Sequence, residues 1–170
     1  MRGLFPFEGL LCTMLPLALL LGIVRQGVRR GLRIDQALCD AASIGDVPWI
    51  NRLLADGVSP DSADEDGATA LMSAAFAAQA KAVATLLHAG ADPDLQDSSG
   101  LTALMNAVIS AGEMDLEGAT AVFERIVSLL LDAGADPDLR DEDGCTALDH
   151  ARSYGQTELV VLLEKEKEDR

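Results

Sequence analysis

Aromatic side chains are nearly missing from this chain: four Phe, one Trp and one Tyr in 170 residues, although 49% of the residues are hydrophobic. A core with so few rings has to be built from Ala, Leu and Val, a mix that suits helices packed at close spacing. Positive charge is scarce as well. Thirteen Lys and Arg stand against 28 Asp and Glu, a formal net charge of −15, and the imbalance is uneven. Residues 1–33 carry five arginines against Glu8, a net +4, so the remaining 137 residues carry −19. A body this acidic repels phosphates, which argues against DNA, RNA and anionic lipid as ligands of the folded part. Solubility or a basic partner protein is the reading that remains. Cysteine is limited to Cys12, Cys39 and Cys145. An odd number at wide spacing, with no C-x-x-C pair, is not a disulfide framework and fits a reducing compartment.

Long apolar runs are also lacking, with one exception. Gly9 to Val24 holds no charge, and reaching back past Glu8 to Leu4 gives 21 residues. A membrane-spanning helix needs about 20 apolar residues, with about 17 as a lower limit, whereas signal-peptide cores are shorter. No pair of small residues after the run fits a cleavage site: Leu20, paired with Gly22, is too large. Residues 4–24 are therefore read as a separate apolar helix that anchors the chain in a membrane. Arg25, Arg29, Arg30 and Arg33 follow the run, which keeps the C-terminal side in the cytoplasm. The alternative is a cleaved signal peptide and a periplasmic or secreted body, and a start at Met14 would leave a stretch too short to span. The expected division is residues 1–33, anchor or signal with its basic flank, and residues 34–170, the folded domain.

Beyond residue 33 the chain repeats itself. Asp64-Glu-Asp-Gly-Ala-Thr-Ala-Leu71 aligns with Asp97-Ser-Ser-Gly-Leu-Thr-Ala-Leu104 and Asp141-Glu-Asp-Gly-Cys-Thr-Ala-Leu148. Gly57, Gly90 and Gly134 head a second aligned set, Gly-x-x-Pro-Asp. Gly67 to Gly100 is 33 residues and Gly100 to Gly144 is 44, so the third unit holds 11 extra residues, around 112–122. Each unit reads the same way. Asp-x-x-Gly supplies a turn, and Thr69, Thr102 and Thr146 cap a short Ala-rich helix. A break leads to a second helix with one apolar face, Val83, Leu86 and Leu87 in the second unit. Gly90 ends that helix. One such unit cannot bury its own apolar face, so it needs stacked neighbours.

These motifs resemble the ankyrin repeat, over about residues 34–168. The resemblance implies an all-α solenoid of stacked helix-turn-helix units joined by β-turn or hairpin loops. Four repeats are expected: 34–66, 67–99, 100–143 with the insertion, and 144–168. The chain departs from the family pattern at Ala70, Ala103 and Ala147, where Pro is usual, and at Met72, Met105 and Asp149, where His is usual. The hydrogen bonds that the imidazole would make between neighbouring repeats are expected to be replaced at the two Met positions by packing alone. The first unit lacks the Gly-x-Thr start, as a cap does, and the last puts Glu164 at a Leu position. Cys39 and Cys145 then lie three repeats apart. At about 8–10 Å per step they exceed the roughly 7 Å limit for a bridge.

Constellations that carry chemistry are absent. His88, near a helix C-terminus, and His150 are both read as lone structural histidines. No Cys/His/Asp set has zinc spacing, and Ser43, Ser73, Ser110 and Ser153 have no paired base. Asp61, Asp64, Glu65 and Asp66 gather in one loop and Asp136, Asp138, Asp141, Glu142 and Asp143 in another. The order of a calcium loop is missing, and turn chemistry accounts for the spacing. No catalytic residue, metal, cofactor or small-molecule substrate is expected.

The ankyrin resemblance implies partner binding at the loop tips and on the first-helix face that lines the concave surface. The tip residues at variable positions include Glu65, Asp66, Ser98, Ser99, Leu101, Glu142 and Asp143. At the ends of the first helices the variable positions are Ser43/Ile44, Phe76/Ala77, Ile109/Ser110 and Ser153/Tyr154, of which Ile44, Phe76, Ile109 and Tyr154 are read as an apolar stripe across the repeats, bordered by acid. The expected function is a non-catalytic, membrane-tethered scaffold for a protein partner, a basic one being the natural fit. The alternative is an exported accessory or immunity-type binder.

Overall fold

The computed structural model describes residues 34–114 and 119–169, so the anchor expected over residues 4–24 lies outside the described residues. The chain divides into two units, Met1–Ile34 and Asp35–Arg170. The second is all-helical, with no strand among the described residues. Its helices are α1 (Ile34–Ile44), α2 (Val47–Ala55), α3 (Ala70–Phe76), α4 (Ala80–His88), α5 (Ala103–Glu113), α6 (Ala119–Asp132), α7 (Ala147–Ser153) and α8 (Thr157–Asp169). They form two layers. First helices stack on one another, α3 on α5 and α5 on α7, and second helices do the same, α2 on α4, α4 on α6 and α6 on α8.

The first helices start where the sequence places them. Thr69, Thr102 and Thr146 hold extended backbone, and their Oγ1 atoms accept from the N–H of Met72 (3.3 Å), Met105 (3.3 Å) and Asp149 (3.2 Å). A cap of this kind stabilises a helix by about 1 kcal/mol. At the His position of the second repeat Met72 also bonds within its own unit. There the Thr69 N–H points to Met72 Sδ at 3.4 Å, so the sulfur closes the cap from the other side. Asp149 does so more strongly in the last repeat, accepting from Thr146 N (3.0 Å) and Thr146 Oγ1 (2.8 Å). Ionised acceptors make the stronger hydrogen bond.

Small residues let the layers approach. Ala41, Ala74, Ala107 and Ala151 occupy one position in successive repeats and are fully buried, beside the equally repeated Leu38, Leu71, Leu104 and Leu148. Second helices add Ile50, Val83, Leu86, Val127, Leu130, Leu159 and Leu163, and Phe123 is the largest side chain with no exposure. Each Leu or Ile withdrawn from water contributes roughly 1.5–3 kcal/mol. No helix among the described residues is long and apolar enough to cross a membrane.

The insertion is absorbed mainly by lengthening helices. α5 has 11 residues where α3 and α7 have 7, and α6 has 14 where α4 has 9. The outward end of the array is polar. The positions buried as Ala75 and Val108 in earlier repeats become Arg152, and that of Leu131 becomes Glu164; the two side chains pair at 2.6 Å.

Candidate functional site

Two edges of the solenoid carry the residues singled out by sequence: the loop tips before the first helices and the far ends of those helices. The tips are built from carboxylates turned inward. Oδ1 of Asp64 accepts from the backbone N–H of Asp66 and Ala68, both at 2.9 Å. Asp97 does the same for Ser99 (2.8 Å) and Leu101 (3.0 Å), and Asp141 for Asp143 (3.0 Å) and Cys145 (2.8 Å). Successive tips are then joined through the backbone, Ser98 N–H to Asp66 O (2.8 Å) and Glu142 N–H to Ser99 O (3.0 Å). A second ladder runs behind them. Asp61 accepts from Asp92 N–H (2.8 Å) and Asp94 from Asp136 N–H (2.7 Å), and at the last step the Lys167 ammonium binds Asp138. Most loop carboxylates are thereby engaged in turns and inter-repeat contacts. Glu65, Asp66, Ser98, Ser99, Glu142 and Asp143 face solvent, whereas Leu101 is half-buried and packs on the core.

Burial opposes ionisation of Asp141. The N–H of Cys145, the His150 ring and the N–H of Asp143 outweigh it and hold the carboxyl below its ordinary range. The Thr146 N–H and hydroxyl hold Asp149 low in the same way, against a smaller opposing effect of burial. Desolvation and the carboxylates of Asp141, Asp149 and Asp143 push the Cys145 thiol up. A thiol kept protonated is a poor nucleophile. His150, expected to be lone, is paired: its Nε2 lies 2.7 Å from Asp141 Oδ2 and braces the last tip.

At the opposite edge the ends of α1, α3 and α5 touch the next repeat. A Cβ added to Gly45 would meet Gln79 Oε1 at 2.3 Å, so the end of α1 lies against the turn before α4. Ser110 Oγ donates to Phe76 O at 2.6 Å, tying α5 to the end of α3. The ring of Tyr154 sits against Gly112, where a Cβ would be 2.3 Å from Cγ. Ile44, Phe76 and Tyr154 remain 66%, 44% and 43% exposed along this edge, and Ile109 is half-buried. The contacts through Gln79, Ser110 and Gly112 join the ends of successive first helices along this edge.

The ankyrin-repeat family model (three copies) matches residues 18–97, 38–122 and 76–169. The chain belongs to the ankyrin-repeat family. The first matched stretch begins inside the uncharged run, and together the matches cover most of the chain. No curated protein matches it. Ankyrin repeats generally mediate protein–protein interaction and are typically non-catalytic.

Within this ankyrin domain, two features of the edge were not singled out as site features by the sequence reading. One is Gly112, whose missing side chain seats Tyr154; a glycine inside a helix was the available signal. The other is Ser110, noted as a variable position but in fact buried and bonded across repeats.

Proposed function

We propose that the protein is a non-catalytic interaction scaffold that holds a partner protein on the first-helix face and loop tips, tethered to a membrane through residues 4–24. One observation carries the binding face: large apolar side chains are exposed at the ends of the first helices in three of the four repeats, at Ile44, Phe76 and Tyr154. Single exposed apolar residues are ordinary, whereas an apolar row with a polar surround is what interfaces use. The experiment is affinity capture from the native cell with the wild-type chain, a Phe76→Ser/Ile109→Ser variant and a Val161→Ser control. A partner kept by wild type and control but lost by the double variant, with helical circular dichroism unchanged, supports the face. Equal capture by all three overturns it.

The tether rests on the uncharged stretch of residues 9–24 and the four arginines that follow it. Sixteen residues is short for a span, and this favours the second reading, an exported binder released after cleavage. Membrane fractionation and intact mass decide between them. Loss of about 25 residues from the mature chain would establish export.

A further inference from the structure

The second helices of the last two repeats carry a surface that matches itself. α6 and α8 stack in register: Ile126 and Leu130 are buried beneath one as Leu159 and Leu163, 33 residues on, are beneath the other. The groove between them is lined by Arg125, Ser128, Glu158, Val161, Leu162 and Lys165, among others. Val161 is 65% exposed, at a place that earlier repeats give to Asn51, Ala84 and Ser128. Glu158, Val161 and Lys165, three and four residues apart, share one face of α8. Arg125, Ser128 and Asp132 repeat that spacing on α6 with the charges in reverse order, base before acid. All four charged residues are exposed, and none of them belongs to an ion pair among the described residues. Earlier repeats lack the pattern. α4 has Lys81 and His88 at these two places, and α2 has Pro48 and Ala55.

We propose that this face binds a second copy of the chain across a two-fold axis. Such an interface requires a patch that is complementary to itself. Glu158 and Lys165 stand equally far on either side of the Val161–Leu162 step, and Arg125 and Asp132 equally far on either side of the Ser128–Leu129 step. With α8 laid antiparallel on its counterpart, Val161 therefore meets Leu162 of the second copy and Glu158 meets Lys165. The same axis lays α6 on its counterpart and sets Arg125 against Asp132. Four contacts between opposite charges then frame an apolar centre, and Glu124, the other charge of the groove, faces Ala133. A parallel arrangement, α6 on α8, would also oppose unlike charges, but it seats the exposed Val161 on Ser128. A partner of one charge sign would be repelled at half of these contacts. Exposed ion pairs add little affinity, so the charges set the orientation and the apolar centre holds the pair. The pairing leaves the loop tips and the first-helix ends open to a different partner.

Sedimentation equilibrium of the full chain in non-ionic detergent tests the pairing. Wild type should pass from monomer to dimer as concentration rises. Glu158→Lys sets like charges together at both ends of the α8 contact and should weaken the dimer at least about tenfold. Adding Lys165→Glu reverses the pattern but makes it self-complementary again, so the double variant should return to within about threefold of wild type. Val161→Ser should weaken the dimer about fivefold or more, and Lys81→Glu, an equal change of charge on α4, should leave it unchanged. Circular dichroism checks that each variant keeps its helices. Under mild oxidation Val161→Cys should give a cross-linked dimer beyond any seen in wild type, and Arg125→Cys should not. A chain that stays monomeric at every concentration would leave the groove to another partner and overturn the proposal. So would a dimer indifferent to Glu158→Lys and Val161→Ser. Loss in the single variant without recovery in the double one would overturn the antiparallel pairing.

Discussion

Replacing one glycine by alanine at the same position in three repeats isolates how much of the stability of a loop tip comes from the next repeat. Gly67, Gly100 and Gly144 share a left-handed backbone, at φ of 80°, 76° and 77°. Alanine in that conformation costs about 1–2 kcal/mol, less a few tenths regained because it also stiffens the unfolded chain. Surroundings differ where backbone does not. The added methyl would meet nothing within 4 Å at Gly144, which has no following tip. At Gly67 it would touch Asp97 Cα at 3.4 Å, an ordinary contact. At Gly100 it would lie 2.9 Å from Asp141 Cα and 3.0 Å from Glu142 N, atoms of a backbone that cannot rotate aside. Overpacking of that kind costs a further 1–3 kcal/mol or so. Gly144→Ala should therefore cost about 1 kcal/mol, Gly67→Ala slightly more and Gly100→Ala about 2–4. Urea unfolding followed by circular dichroism reads this directly, since m-values near 1–3 kcal/mol/M turn each kcal/mol into a midpoint shift of several tenths molar. If Gly144→Ala cost as much as Gly100→Ala, the tips would not be packed on one another and the reasoning would fail.

Three further outcomes follow from neighbouring features. Ala78 takes φ of 58° where the equivalent turns use Gly45 and Gly155, so Ala78→Gly should raise stability by about 0.5–1 kcal/mol in the same urea experiment; a loss would refute the strain. The paired Arg152→Val and Glu164→Leu changes should restore the apolar character of an internal interface on the outward end, giving concentration-dependent association beyond a pair by analytical ultracentrifugation. A variant that goes no further than wild type would show that charge there is not what limits stacking. Asp141 and Asp149 have depressed folded-state values, so their contribution is present above the ordinary carboxylate range near 4 and fades as pH falls through the depressed values. Amide exchange should show α7 losing protection before α3 on acidification, and Asp149→Asn should flatten that dependence; simultaneous loss in both helices would count against it.

The sequence by itself determined the turns and caps that form within one unit. An Asp-x-x-Gly turn, its Asp accepting from residues two and four ahead, and a Thr cap three residues before its partner are contacts within about five residues. Their geometry is the same wherever those residues occur. The acid-rich tips followed for the same reason, as did the apolar residues at helix ends. Only the tertiary structure decided what depends on how units stack. The 11 inserted residues could have made a loop, and instead most of them lengthen α5 and α6. Arg152 and Glu164 meet across two helices, and Tyr154 closes over Gly112 from 42 positions away. Ser110 and Ile109, equally plausible on the exposed edge by spacing, separate into a buried inter-repeat donor and a half-buried flank. Local rules fix which side chains a repeat presents; the register and spacing of its neighbours fix which of them water, or a partner, can reach.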